Sequence, residues 1–267
     1  MEQLDRAIAS AEDAGDPAPR VHDIRKRMKK LRGLIRLVRP VFPDYRMENR
    51  VARDTARSVS GLRDLTVLAQ TYDLLMERHD QQLDRTAFAP LRRHYTVAKA
   101  DVDLTEPLAA AAETLARTRE RVPLWTLSDT GFDAIEGGLL KTYGRARNGP
   151  EDDDDAALHE WRKRVKYHLY HVRLLQEIWP EQMEVRRAAL DDLGDRLGHH
   201  QDLVVFAASL DDSPLDEDAR RVLRGIVDRQ KAATAAEARD LAARLFVDKP
   251  KVLAGRWRAW WDRWRAD

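Results

Sequence analysis

Cysteine is absent from the 267 residues, which excludes disulfides, thiol catalysis and thiolate metal sites. Long apolar runs are missing too: no window approaches the about 18 uninterrupted apolar residues that mark a membrane span. Residues 1–20 mix acids with few apolar residues and contain no signal-like hydrophobic stretch, so a soluble, cytoplasmic protein is expected. Strand chemistry is sparse, with few β-branched runs and no Asn-Gly or Asp-Gly turn between alternating segments. No G-x-x-x-x-G-K-[ST] loop for phosphates and no H-E-x-x-H metal motif occurs, so neither an enzyme nor a metal or other cofactor is expected.

What is present is charge. Asp, Glu, Lys and Arg make up 35% of the chain beside 43% hydrophobic residues, a mixture suited to long helices with charged faces. The fold class expected is all-α. The formal net charge of +1 conceals segregation, since residues 20–63 hold 14 Lys or Arg against four acids. Compensating acids lie elsewhere, in "EDDDD" at 151–155 and between Asp191 and Asp218. Such a distribution points to an anion-binding region on an otherwise balanced protein.

Breakers divide the chain. "GDPAP" (15–19) precedes a basic segment that "RPVFPD" (39–44) ends, and Ser60-Gly61 interrupts the helical pattern of 46–79. Residues 84–100 are ambiguous, and 102–121 read as an Ala-rich helix. "VPLWTLSD" (122–129) reads as the connection between two halves, 1–125 and 126–267. Helices are then expected at about 131–147, 157–178, 181–198, 201–210, 215–246 and 250–265.

The halves match. His22, Arg25, Lys26, Arg27, Lys29, Arg36, Leu37 and Pro43 fall on His159, Arg162, Lys163, Arg164, Lys166, Arg173, Leu174 and Pro180 at an offset of 137. "SGLRDLTVL" (60–68) matches "GHHQDLVVF" (198–206) at 138, pairing Asp64 with Asp202. An internal duplication is the reading: two similar bundles of about four helices each, related by a pseudo-twofold axis.

On a helix, with His22 as zero and about 100° per residue, Lys29, Arg36, Arg25, Arg32 and Lys26 fall between about −80° and +40°. Ile24, Met28, Leu31, Ile35 and Val38 take the opposite side. In the second copy, His159, Arg162, Lys163, Lys166 and Arg173 share a face opposite Trp161, Val165, Val172 and Leu175. Each helix thus presents a cationic stripe about 20 Å long. Like charges at these spacings repel by a few tenths of a kcal/mol per pair, so a polyanion alongside is favourable. A merely solvated basic face is the plain alternative for one such helix; its recurrence at the same phase argues against that. Arg50, Arg53 and Arg57, at i, i+3 and i+7, extend the first stripe, and Arg63 follows the break. The second half is poorer here, with Arg186, Arg187 and Arg196 among Asp191, Asp192 and Asp195, so the first half is expected to dominate binding.

These segments resemble the CHAD domain (conserved histidine α-helical domain). "VHDIRKRMKKLRGLIRL" and "LHEWRKRVKYHLYHVRLL" look like its two His-x-x-Arg helices, and "SGLRDLTVL" and "LGHHQDLVVF" like its Leu-Gly-x-x-x-Asp-x-x-Val segments. "LLKTYGRAR" (139–147) is similar to the basic helix before the second His motif, and "DKPKVLAGRWRAWW" to the closing helix. The resemblance implies paired four-helix bundles whose basic faces line a shared cleft that binds inorganic polyphosphate, and association with polyphosphate granules. The implied ligands are His22, Arg25, Lys26, Lys29, Arg32, Arg36, His159, Arg162, Lys163, Lys166 and Arg173, with Lys141 and Arg145 as additions. Leu169 and Tyr170 stand where the first helix has Arg32 and Gly33, so twofold equivalence is broken there.

Other residues have plainer readings. His168, His171, His199 and His200 lack further ligands and are expected in the core, on the surface or, for the last two, in a loop, rather than on zinc. "EDDDD" reads as a flexible acidic loop. Asp64 and Asp202 fit a helix N-cap or first turn, or pairing with the basic helices. Trp257, Trp260, Trp261 and Trp264, beside Arg256, Arg258, Arg263 and Arg265, share one face that suits core or membrane-proximal packing. They also imitate a stacking platform, which keeps a nucleic-acid-binding protein open as the alternative. A scaffold for acidic protein partners is the third reading.

Overall fold

The structure, a computed structural model, describes residues 1–266 apart from the side chain of Arg63. The described residues form eleven α-helices and no strand: α1 (Glu2–Glu12), α2 (Pro17–Leu37), α3 (Tyr45–Ser58), α4 (Gly61–Arg78), α5 (Arg85–Ala100), α6 (Thr105–Arg121), α7 (Asp133–Arg147), α8 (Asp155–Leu174), α9 (Pro180–Ser209), α10 (Glu217–Leu245) and α11 (Pro250–Ala266). The all-α expectation holds. None of these helices is long and apolar enough to cross a membrane.

Local chemistry sets the boundaries. Asp16 caps α2 by accepting from the Ala18 amide at 2.9 Å, with Pro17 in the first turn, where its missing N–H costs nothing. Asp84, Asp154 and Asp216 cap α5, α8 and α10 in the same way. Pro180 and Pro250 open α9 and α11. The acidic run at 151–155 is tied down rather than free. The Arg239 guanidinium donates to the Asp152 carbonyl and pairs with Asp153 at 2.7 Å, and Lys231 Nζ lies 2.7 Å from Asp155.

Several expectations change. Residues 84–100 are helical as α5, and a further helix, α1, precedes the first breaker. The helices expected at 181–198 and 201–210 are one, α9, so His199 and His200 lie within a helix and not in a loop. The reason is burial: Leu190, Leu193, Leu197, Leu203 and Phe206 keep helical spacing through Gly198, whose cost of about 1 kcal/mol they outweigh. In the matching place of the first half the break at Ser60-Gly61 is real, so Asp64 sits in the first turn of α4 while Asp202 is mid-helix.

Buried side chains form three clusters. One joins α1, α2, α3 and α6; a second joins α7, α8, α11, the first part of α9 and the second part of α10. The third packs α4 and α5 against the remaining parts of α9 and α10, drawing on both sides of residue 125. The aromatic face of α11 runs from core to rim: Trp257 is buried, Trp260 and Trp261 pack at the edge, and Trp264 is exposed.

Two histidines belong to the core. His168 stacks on Trp257 with ring centroids 5.7 Å apart and accepts from Arg186 Nε at 3.3 Å. The His171 Nε2–H donates to the Gly33 carbonyl at 3.1 Å, joining α8 to α2. Burial pushes the His171 pKa down to about 3 and that of His168 well below its ordinary value. Both are therefore neutral in the folded chain, while the unfolded chain takes up their protons as pH falls through about 6.5. Stability present above that pH is lost below it, at up to about 1.4 kcal/mol per pH unit for each ring. Urea midpoints should fall steeply between pH 7 and pH 5, and His171→Gln, which retains a donor for Gly33, should flatten that fall.

Candidate anion-binding site

α2 and α8 bury one stripe each. Val21, Ile24, Met28, Leu31 and Ile35 fill one core, and Leu158, Trp161, Val165, Leu169 and Val172 another. Their cationic faces are left to meet across the contact between the helices. That contact is close: a Cβ on Gly33 would stand 2.6 Å from the Tyr170 Cβ, so only glycine fits. Gly33 and Tyr170 are themselves partners at the offset of 137.

Beside this crossing lies a cleft of about 510 Å³. His22, Arg25, Lys26, Lys29 and Arg32 line it from α2, and His159, Arg162, Lys163, Lys166 and Arg173 from α8, with Tyr167, Leu169 and Tyr170 between. Eight Lys or Arg thus face one lining carboxylate, Asp191. An adjoining hollow of about 280 Å³ shares Arg25, Lys29 and Arg32 and adds Arg53, Arg57 and Asp64. A third, between α2, α7 and α8, collects Arg36, Arg39, Lys141, Arg145, Arg164 and Tyr167. Two candidates are not gathered in. Arg50 is exposed on α3 and lines none of these hollows, and Arg63 lies outside the described residues.

Carboxylates stand against the α8 wall. On α8, Lys163 pairs with Glu160, Lys166 with Asp195 at 3.1 Å, and Arg173 with Asp191 at 2.7 Å. On α2, Arg32 Nε and Arg36 Nη2 both donate to Asn49 Oδ1 at 3.2 Å, and Arg36 lies 4.1 Å above the Tyr167 ring. Arg25 donates to the Ala56 carbonyl at 3.0 Å. The neutral partners of Arg32 and Arg36 orient a guanidinium without cancelling its charge. Arg162 lies across Gly198, and its Nε is buried with no hydrogen-bond partner among the described residues, as are Arg36 Nε and His159 Nδ1. Burial, helped by Lys163 and Arg162, lowers the His159 pKa, leaving a neutral ring at pH 7. Burial likewise lowers the Arg32 pKa from its ordinary value.

The family model of the CHAD domain matches residues 1–211, through the end of α9. The chain belongs to the CHAD domain family. Comparison with curated proteins and with solved structures finds no match. In this CHAD domain the matched stretch holds every cleft-lining residue, while α10 and α11, including the closing-helix resemblance, fall outside it.

Sequence patterning missed Tyr167, Tyr170, Asn49 and Arg39. Arg39 follows the end of α2, where a helical projection gives no direction. Arg164 was visible only as the repeat partner of Arg27, yet the two diverge: Arg27 turns to Asp23 and Gln3, while Arg164 lines the third hollow. Tyr167 carries a readable clue, since it follows Lys163 by one helical turn on the cationic face.

Gly33→Ala should force the helices apart at a cost of about 1–3 kcal/mol, the range for overpacking. Gly61→Ala, with nothing within 4 Å of its Cβ position, should change stability far less. Denaturant unfolding of the two variants side by side checks this.

Proposed function

We propose that this CHAD domain binds inorganic polyphosphate in the cleft between α2 and α8 and performs no chemical step on it. The observation carrying the reading is that two cationic stripes, matched in sequence at an offset of 137, line one cleft. A flexible chain with about one negative charge per phosphoryl unit suits cations repeating along a helix. Arg supplies planar forks, and Lys a compact charge, to the non-bridging oxygens. The first half, with its denser run of Lys and Arg, is read as dominating binding, and a ligand on the α8 wall competes with Glu160, Asp191 and Asp195. Cytoplasmic residence, with targeting to polyphosphate granules, fits such a protein.

The two halves, 1–125 and 126–267, are read as duplicated bundles about a pseudo-twofold axis. The contact of Gly33 with its repeat partner Tyr170 supports this, since equivalent positions meet where such an axis passes.

Nucleic acid is the competing ligand. Its aromatic argument weakens because Trp257 is 2% exposed and Arg258 is held by Asp133 and Glu136. Single-stranded DNA of matched charge is therefore the comparison: long-chain polyphosphate should bind more tightly at physiological salt, and a preference for DNA would overturn the reading. Lys29→Glu with Lys166→Glu should lower polyphosphate affinity by at least about tenfold and flatten the dependence on salt, by counterion release. Retained affinity would instead favour a scaffold for acidic proteins.

Protonation supplies a second measurement. Bound phosphates raise the His159 pKa from its lowered value, so binding takes up a proton and tightens as pH falls below 7. Calorimetry in buffers of different ionisation enthalpy should show that uptake, reduced in His159→Gln.

A further inference from the structure

The tryptophan face of α11 takes no part in the cleft. Trp257 is buried in the core, and the same face continues past the core's edge. Trp260 and Trp261 pack at the rim, and residues 262–266 are all exposed, which is more than one helical turn. No face of that turn is buried, so the end of α11 projects from the body.

Its rings form a row. Trp179, 42% exposed at the start of α9, meets Trp260 edge to face with ring centres 4.9 Å apart. Trp261 meets Phe132 at 5.9 Å and Trp264 at 5.3 Å, and Trp264 is 40% exposed. Cations flank the row. On the helix Trp260, Trp261 and Trp264 span about 100°, with Arg256 and Arg263 about 80–100° from Trp264 on one side and Arg265 about 100° on the other. α11 holds five Lys or Arg against one acid, Asp262. Asp133 and Glu136 hold Arg258, and Asp248 lies 3.3 Å from Arg256, whereas Arg265 leans on the Trp264 ring at 5.9 Å.

An indole joins a broad apolar ring to a single N–H donor and settles where water meets lipid tails. Flanking guanidiniums reach from that depth to lipid phosphates while their stems cover apolar surface. A bilayer also needs no shaped socket, which a projecting helix end would require of a folded protein partner.

We infer that the end of α11, together with Trp179, docks this protein on an anionic lipid surface, lying in the interface without crossing it. Cations on both flanks select anionic headgroups, at about fivefold in affinity for each cation near the surface. None of these residues lines the cleft, so docking and polyphosphate binding are separable by mutation.

Flotation of the full chain with vesicles tests this, using phosphatidylcholine alone or with about a third replaced by phosphatidylglycerol. The native protein should bind the anionic vesicles at least about tenfold more tightly than the neutral ones. Trp264→Ala should weaken that binding about tenfold, and Arg263→Gln with Arg265→Gln by at least as much. Both variants should unfold thermally like the native protein and keep its affinity for polyphosphate, since residues 263–265 are exposed. Lys29→Gln with Lys166→Gln removes the same number of charges from the cleft and should change vesicle binding by less than about twofold. No binding to anionic vesicles, or an equal loss in the cleft and α11 variants, overturns the inference. So does a native dimer that Trp264→Ala dissociates and that ignores vesicles, because the face is then an interface between copies of this chain.

Discussion

The close crossing of α2 and α8 at Gly33 governs the rest of the molecule. With hydrogen as the side chain at that point, Tyr170 rests on the α2 backbone and His171 reaches the Gly33 carbonyl at 3.1 Å. A neutral, buried imidazole therefore clamps two helices whose outer faces are strongly cationic. The clamp has to be uncharged, since a buried imidazolium would add to the repulsion it holds together. Hydrophobic burial behind each helix supplies the opposing force, with the apolar stripes of α2 and α8 rooted in separate cores.

Charge in this CHAD domain is managed unequally. Acids from α8 and α9 (Glu160, Asp191 and Asp195) sit against the α8 cations, whereas Arg32 and Arg36 on α2 lean on an amide and a phenol ring. Arg32 and Arg36 are therefore oriented without being neutralised by these two partners. The glycines of α9 complete the other wall: Gly194 leaves room for the Lys166 side chain and Gly198 for that of Arg162. Tyr167, buried beside the Arg32 and Arg36 guanidiniums, lines both the cleft and the third hollow.

Much of this was legible in the chain. The 3.6-residue periodicity of α2 and α8 showed which side chains are buried and which form the cationic stripe, and the Asp caps and prolines marked most boundaries. Errors came where a local cue competed with burial. Gly198 beside His199-His200 looks like a break, yet α9 runs through it because apolar residues on both sides reach a core. The acidic run at 151–155 looks free, yet its partners Arg239 and Lys231 lie about 80 residues away along the chain, beyond any local pattern.

The sequence by itself determined the helical class, the family and the faces of the two basic helices, because periodicity and repetition are properties of neighbours along the chain. Tertiary structure decided which cations share a cavity. Arg50 continues the pattern of Arg53 and Arg57 but lines none of these hollows, while Arg39 and Arg164 join Lys141 and Arg145 from three segments. It also decided how closely α7 approaches α2. The seat of α7 on α2 depends on Gly138 meeting the Leu37 carbonyl, a contact between residues about 100 apart, and long-range approach is set by packing rather than by local spacing.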